Sequence, residues 1–134
     1  MNIQTLILSA LLFASTAQGA DSIAGSYTGR VATERDSETR FVDVTITQVG
    51  KHYELSGGAG YSTGRSPAPD FDGESNEITK PPDRFKFKDS FGNLGIVTVT
   101  PTKTGIKFTV MITTIKDPRC LPLYEMTELK RKNG

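Results

Sequence analysis

The sequence predicts an all-β protein, folded as a single small antiparallel meander β-barrel of seven or eight strands. Apolar and polar residues alternate with a period of two in segment after segment beyond residue 20, which is the pattern of half-buried strands. Turn-forming Gly, Pro, Asn and Asp separate these segments, and no window beyond residue 20 keeps a helical apolar repeat over three turns. The connections are mostly short, so consecutive strands are expected to pair as hairpins.

Each clear strand carries one apolar face, which the sheet must hide. In 41–49, Val42, Val44 and Ile46 share a face, and in 84–88 the aromatic Phe85 and Phe87 alternate with cations. The predicted strands cover 23–32, 41–49, 51–62, 84–88, 94–100, 105–115 and 121–131, with 74–79 as an optional short eighth strand. The predicted turns are Gly50-Lys51 (type II′), Phe91-Gly92-Asn93, Pro101 to Gly105 and Asp117-Pro118.

Closing the sheet into a barrel hides the apolar face and removes exposed edges. A β-sandwich is the alternative, and the barrel is favoured because the connections are short and no long crossover is needed. The expected inward-facing set includes Tyr27, Val42, Val44, Ile46, Phe85, Phe87, Val97, Val99, Phe108 and Val110. Eight strands leave room inside for side chains or for one small ligand.

Composition excludes several functional classes. The chain has 134 residues, which limits it to one domain. Sixteen basic against fifteen acidic residues argue against a dedicated nucleic-acid binder. The single cysteine, Cys120, excludes an internal disulfide and a multi-Cys zinc site, and the single histidine excludes two-His metal motifs. We expect Cys120 to be buried, with an intermolecular disulfide as the alternative.

The N-terminal segment resembles a secretory signal peptide. Residues 6–14 form an apolar run of the length of an h-region, too short for the roughly twenty residues that span a bilayer. Ala17 and Gly19 occupy the positions of an A-x-A-like cleavage site, with Ala20 as the alternative last residue. We therefore expect a signal peptide at 1–19, a mature domain at 20–134, and a soluble periplasmic or secreted product without a transmembrane anchor.

One long connection interrupts the meander, at 63–83, and it holds four of the seven prolines. Long loops in compact domains are often functional. We predict that the 56–75 segment is a partner-binding loop, because its glycines let the backbone approach another protein and its aromatic and charged side chains are typical of interface hot spots. The candidate binding residues are Tyr61, Arg65, Asp70, Phe71 and Asp72, with Arg65 expected to be exposed.

Two resemblances follow from short motifs. The chain resembles the calycin barrels (lipocalins, avidins, fatty-acid-binding proteins) in two short segments, Gly25-Ser26-Tyr27 near the start and Leu129-Lys130-Arg131 near the end. In calycins the first strand has a Gly-x-Trp signature, and a basic residue of the last strand packs over the Trp. Ser56-Gly57 and Tyr61 resemble the inhibitory loop of small exported bacterial barrels that inhibit lysozymes or act as immunity proteins. These resemblances imply a barrel that binds a small apolar ligand or blocks a protein.

The sequence offers little for catalysis. His52 has Lys51 and Glu54 as its expected neighbours, and no Ser or Cys lies in a nucleophile elbow. The acidic group Asp70, Asp72, Glu74 and Glu77 is interpreted as a solvated loop. Its partial likeness to an EF-hand fails because position 81 is Pro rather than Glu and no helices flank it. We therefore predict a non-enzymatic protein with no cofactor and no metal site.

Two functional hypotheses remain. The first is an inhibitor or immunity-type protein that blocks a cell-wall hydrolase or toxin through the 56–75 segment. The alternative is a lipocalin-like carrier of a small apolar ligand. An apolar void above roughly 300 Å³ would favour the carrier, and a filled barrel the inhibitor. The outward basic row Arg84, Lys86 and Lys88, with Lys107 nearby, is interpreted as a solubilising surface, or as a patch for an acidic partner or cell-wall polymer.

Overall fold

The computed structural model describes residues 22–132, which form a closed barrel of eight strands in sequence order. All neighbouring strands are antiparallel, so the predicted meander barrel is confirmed and the sandwich alternative is wrong. The strands are β1 (Gly25–Ala32), β2 (Thr39–Val49), β3 (His52–Tyr61), β4 (Asp70–Glu77), β5 (Asp83–Asp89), β6 (Leu94–Pro101), β7 (Gly105–Thr114) and β8 (Glu128–Arg131). The predicted signal peptide lies outside the described residues.

The first and last strands close the barrel through a short ladder. Tyr27 is in register with Arg131, and Thr28 with Lys130. On the other side of β8, Ile106 of β7 is in register with Leu129. Four residues of β8 are therefore enough to bridge β7 and β1.

The barrel interior is filled by side chains. The predicted inward set is buried except for Val110, which is partly buried against the same core. Four aromatic rings, those of Phe71, Phe87, Phe108 and Tyr124, contact one another with centroid separations of 5.3 to 6.2 Å. Edge-to-face and tilted contacts at these distances are favourable for aromatic pairs. The rings occupy the space that a ligand would need.

A short 3₁₀ helix, Pro118–Tyr124, seals one end of the barrel with three buried side chains, Cys120, Leu123 and Tyr124. The Asp117 side chain caps the helix by accepting a hydrogen bond from the Arg119 backbone N–H. Pro118 at the start fixes a helical φ. The predicted strand at 121–131 was therefore too long, because its first part belongs to this helix and only Glu128–Arg131 pairs in the sheet.

A buried polar network attaches the helix to the β5–β6 hairpin. The Asp89 carboxylate accepts hydrogen bonds from the Tyr124 hydroxyl at 2.7 Å and from the Asn93 side-chain amide at 2.8 Å. The Asn93 side-chain oxygen accepts from the backbone N–H groups of Lys116 and Asp117. The Asn93 side-chain nitrogen also donates to the Asp117 carbonyl, so both polar atoms of this side chain hold the segment that enters the helix.

The predicted loop at 63–83 was wrong over much of its length. β4 occupies Asp70–Glu77 and pairs with β3 and β5, so the connections shrink to residues 62–69 and 78–82. The strand is hard to recognise because its inward positions include Gly73 as well as Phe71. A Cβ at Gly73 would lie 2.5 Å from the Lys86 carbonyl oxygen, so the close approach of β5 requires glycine there.

The strand connections alternate between the two ends of the barrel. The far end, opposite the 3₁₀ helix, includes the tight turn at Gly50-Lys51, which joins Val49 to His52. A type II′ turn needs a positive φ at its first central residue only. Gly50 has a φ of 62° and Lys51 does not have a positive φ, as this turn type requires. Within residues 22–132 no helix has the length and apolar character needed to cross a membrane.

Candidate functional site

The candidate site lies at the helix-sealed end of the barrel, where the β1–β2 loop (33–38) meets the β3–β4 loop (62–69). We call this surface the rim. The loops are joined through Thr39, whose N–H donates to the Ser62 side chain and whose carbonyl accepts from the Ser62 N–H, both at 2.9 Å. An open cleft of about 660 Å³ lies beside them, lined by Ala32, Thr33, Glu34, Arg35, Arg40, Arg65 and Glu125.

Glu38 is the centre of the rim. Its side chain is fully buried, although it carries a charge. It accepts hydrogen bonds from the hydroxyls of Thr33 at 2.7 Å and Thr63 at 2.6 Å. The guanidinium of Arg65 adds two more, from Nε at 2.8 Å and from Nη2 at 2.9 Å. A single carboxylate therefore ties both loops together.

These hydrogen bonds keep Glu38 ionised. The bidentate contact with Arg65 is the main reason that the pKa of Glu38 falls to about 2, and the two threonine hydroxyls lower it further against the opposing effect of burial. Contact with Glu38 in turn raises the pKa of Arg65. Burying a charge is costly unless it is paired and fully hydrogen-bonded, and both conditions are met here.

Arg65 is also stacked on Tyr61. The centre of its guanidinium lies 3.7 Å from the centre of the Tyr61 ring, in a cation–π arrangement. Its side chain is 34% exposed. Arg65 was predicted to be exposed, and it is only partly so, because a buried carboxylate and an aromatic ring hold it from two sides. The part of the guanidinium that remains exposed lines the cleft.

Two further arginines line the cleft. Arg40 donates from Nη1 to the carbonyl of Pro122 and to Glu125 at 3.2 Å, which connects β2 to the 3₁₀ helix and the residue after it. Arg35 is exposed, and its guanidinium has no hydrogen bond or ion pair within residues 22–132. The guanidinium N–H groups of Arg35 are therefore available to donate hydrogen bonds to a partner.

The predicted binding residues separate into three places. Tyr61 and Arg65 come together at the rim, but the Tyr61 ring is buried beneath the Arg65 guanidinium and is not free to contact a partner. Phe71 is buried in the aromatic core, because β4 turns it inward. Asp70 and Asp72 lie on the outer surface of β4, where Asp72 faces Lys88 of β5. The 56–75 segment is therefore two strands and a loop rather than one flexible loop, and Phe71 contacts the core instead of the solvent.

Among residues 22–132, one group of side chains could hold a metal ion. His52, Glu54 and Glu74 bring one ligand atom each within 4.8 Å of one another on the outside of β3 and β4. Glu54 and Glu74 are in direct register, and the His52 Nε2 lies 3.3 Å from a Glu54 carboxylate oxygen. All three side chains reach the solvent, and exposed groups of this kind are common without a metal. We assign no metal to them.

Sequence reasoning missed Glu38. Its partners Thr33, Thr63 and Arg65 are up to 27 residues away along the chain, and no short motif connects them. A glutamate in a polar turn is typical of a solvated surface, so the local sequence around Glu38 predicts an exposed side chain. The burial of its carboxylate depends on the end of β1, the start of β2 and the end of β3 lying side by side.

Comparison of the chain with protein-family models, with curated proteins and with solved structures finds no match in any of the three. The resemblances to calycins and to lysozyme inhibitors therefore stay predictions. One geometric expectation of the calycin resemblance can be examined directly, since a basic residue of the last strand should lie over the aromatic residue of the first. Arg131 does lie over the Tyr27 ring, with the guanidinium 4.9 Å from the ring centre.

Proposed function

We propose that the chain is an exported, non-enzymatic binding protein of the inhibitor or immunity type, which blocks a cell-wall hydrolase or toxin with its rim. The contact residues that we assign are Arg65 of the sequence prediction and Arg35, while Tyr61, which is buried, holds Arg65 in position. Asp70 and Asp72 extend along the adjacent wall of the barrel. Export rests on the apolar run at 6–14 and the small residues that follow it.

The buried Glu38 carries the proposal. Loops that serve only to connect strands are usually solvated and variable in conformation. Here two loops are joined by a buried carboxylate with four hydrogen bonds, an arrangement that fixes geometry at the cost of desolvating a charge. Fixing a loop before binding removes the entropy that would otherwise be lost on association. A preorganised rim is what a protein that inserts into another protein's cleft requires.

The filled interior counts against the carrier alternative. The space enclosed by the strands is occupied by the aromatic cluster and by buried aliphatic side chains. The 660 Å³ cleft is polar, open to solvent and outside the barrel wall. Apolar small-molecule sites are usually enclosed and lined mainly by apolar side chains. Binding through the rim fits these features better than carriage inside the barrel.

The direct test is affinity capture with the immobilised protein and a periplasmic extract of its natural host, followed by mass spectrometry. We expect a hydrolase or toxin to be retained, and its activity to fall when the protein is added. Arg35→Glu should weaken the binding of that partner about tenfold or more, because a repulsive charge then faces the docking surface. The thermal stability of the Arg35→Glu variant should remain unchanged, since the Arg35 side chain is exposed and unpartnered within residues 22–132.

Lys103→Glu is the matched control. It makes the same charge reversal on an exposed residue in the turn between β6 and β7, at the far end of the barrel. Equal losses of affinity for Arg35→Glu and Lys103→Glu would contradict a rim interface. Release of a small apolar molecule from the purified protein, with no protein partner retained, would instead favour the carrier.

A further inference from the structure

A second surface differs from the rim in both charge and polarity. It consists of the outward-facing positions of β5, β6 and β7, which we call the β5–β7 wall. Its charged members are four cations, Arg84, Lys86, Lys88 and Lys107, whereas the acidic residues of β5, Asp83 and Asp89, are buried. The remaining outward positions are apolar or threonine. The wall therefore carries positive charge and no carboxylate.

These cations are not neutralised by close ion pairs. Lys86 is in register with Glu74 of β4, and Lys88 with Asp72. Even so, within residues 22–132 none of the wall's cations lies within 4.0 Å of a carboxylate oxygen. Their ammonium and guanidinium groups are available to a partner.

Apolar side chains lie directly beside the cations. Leu94 is in register with Lys88, and Ile96 is in register with Lys86 on one side and with Met111 on the other. Leu94 is 46% exposed and Met111 59%, and Ile115, just beyond β7, is 54% exposed. Three of the five large hydrophobic residues that are exposed in the described part of the chain therefore cluster here.

The fold does not account for this cluster. The inward-facing Val97 and Phe108 already supply the core contribution of β6 and β7. An outward Met111 or Leu94 could be replaced by a polar residue without opening the core. Contiguous exposed apolar side chains that are rimmed by charge commonly mark interaction sites.

We propose that the β5–β7 wall is a docking site for an acidic, amphipathic segment of a partner protein, in which carboxylates stand beside apolar side chains. The carboxylates pair with Lys86 and Lys88, and the apolar side chains cover Ile96 and Met111 on the adjacent strands. Neighbouring strands lie about 4.8 Å apart, so one narrow segment reaches both rows. This proposal is independent of the rim, because it involves different residues and a different partner surface.

The neighbouring strand favours a protein segment over a membrane. β4 presents exposed Asp70, Asp72 and Glu74 immediately next to the basic row of β5. A flat anionic bilayer resting on the wall would bring its headgroups close to these carboxylates, and the repulsion would oppose binding. A narrow segment that lies over β6 and β7 and reaches Lys86 and Lys88 from that side keeps β5 between its own carboxylates and those of β4.

The test uses a short synthetic peptide in which glutamate and leucine alternate, titrated into the isotopically labelled protein and followed by NMR. We expect shifts to concentrate at amides of β5, β6 and β7 and binding to weaken as salt is added. Met111→Glu and Lys86→Glu should each weaken the peptide affinity about tenfold. Met111 faces outward, so the melting temperature of Met111→Glu should not change, whereas Lys86→Glu places a carboxylate opposite Glu74 and should lower its melting temperature slightly.

Three controls make the result decisive. Val49→Glu introduces the same charge at a comparably exposed apolar residue outside the wall, and should leave the affinity unchanged. A peptide with lysine in place of glutamate should not bind. Phosphatidylcholine vesicles with and without phosphatidylserine test the membrane alternative. The proposal would be overturned if the peptide shifted amides outside the wall, or if Met111→Glu bound the peptide as tightly as the unmodified protein. It would also be overturned if the protein did not bind the peptide but sedimented with phosphatidylserine vesicles in a way that depends on Met111.

Discussion

Arg131, at the end of β8, stacks its guanidinium over the ring of Tyr27 in β1, 4.9 Å from the ring centre. Its Nη2 donates to the Tyr27 hydroxyl at 2.9 Å, and its Nη1 donates to the Ala24 carbonyl at 3.0 Å. The Tyr27 hydroxyl in turn donates to the carbonyl of Ile23. A Cβ on Gly25 would displace the Arg131 guanidinium, and the φ of 149° at Gly25 also favours glycine. One residue of the last strand thereby fixes the start of the first.

Replacing Arg131 with methionine should lower the free energy of unfolding by about 1 to 3 kcal/mol. The change keeps much of the apolar stem but removes two hydrogen bonds and the cation–π contact. Urea unfolding measures the loss. Lys130→Met is the control, because Lys130 is the exposed preceding residue in the same strand. Equal losses for the two variants would show that the Arg131 head group does not stabilise barrel closure.

Acid should destabilise the rim through Glu38. Its pKa is about 2 in the folded protein, below the ordinary glutamate value near 4.3, so the unfolded chain binds its proton more readily. The stabilisation that Glu38 provides is therefore complete above about pH 5 and is lost as the pH falls toward 2. We expect Glu38→Gln to remove this contribution, so that the melting temperature of the variant falls less steeply on acidification.

Glu34→Gln controls for the general loss of a carboxylate, since Glu34 is exposed in the same loop. Its melting temperature should follow that of the unmodified protein at every pH. Glu38→Gln should also be less stable than Glu34→Gln at neutral pH, because Arg65 loses its charged partner. Parallel pH curves for all three proteins would contradict a buried, ionised Glu38.

Phe71 is expected to act on stability and not on partner binding. Phe71→Ala should cost about 3 to 5 kcal/mol, the range for removal of a buried aromatic ring. It should leave the affinity of the remaining folded protein unchanged. Asp72→Ala, one residue along on the outer face of β4, should change stability by less than about 0.5 kcal/mol. Weaker partner binding by Phe71→Ala at temperatures where it is folded would restore Phe71 as a contact residue.

Cys120 should be unreactive in the folded protein. It is fully buried, and burial together with the nearby carboxylates of Asp89 and Asp117 raises the pKa of its thiol to about 11. The thiolate is the reactive form, so alkylation by iodoacetamide at neutral pH should require unfolding. Mass spectrometry should show modification in denaturant only. Rapid alkylation without denaturant, or a disulfide-linked dimer, would contradict this placement.

The sequence alone determined the fold class, because strand alternation and turn residues are local signals. Val42, Val44 and Ile46 reveal their shared face without reference to any other segment, and Gly50-Lys51 defines its hairpin in the same way. β4 was recognised only in part, since its inward Gly73 lacks the apolar side chain that alternation relies on. The 3₁₀ helix was mistaken for part of a strand because its buried residues, Leu123 among them, are as apolar as those of a strand.

Only the tertiary structure decided the composition of the rim and of the β5–β7 wall. Glu38 becomes a buried, ionised centre because the end of β1, the start of β2 and the end of β3 lie side by side and bring Thr33, Thr63 and Arg65 to it. No local pattern encodes that meeting, since side chains distant in sequence supply the hydrogen bonds that make the charge tolerable. The pairing of β6 with both β5 and β7 likewise places Met111 near Lys86 across Ile96. Strand register, which depends on closure of the whole barrel, is the physical reason that these surfaces exist.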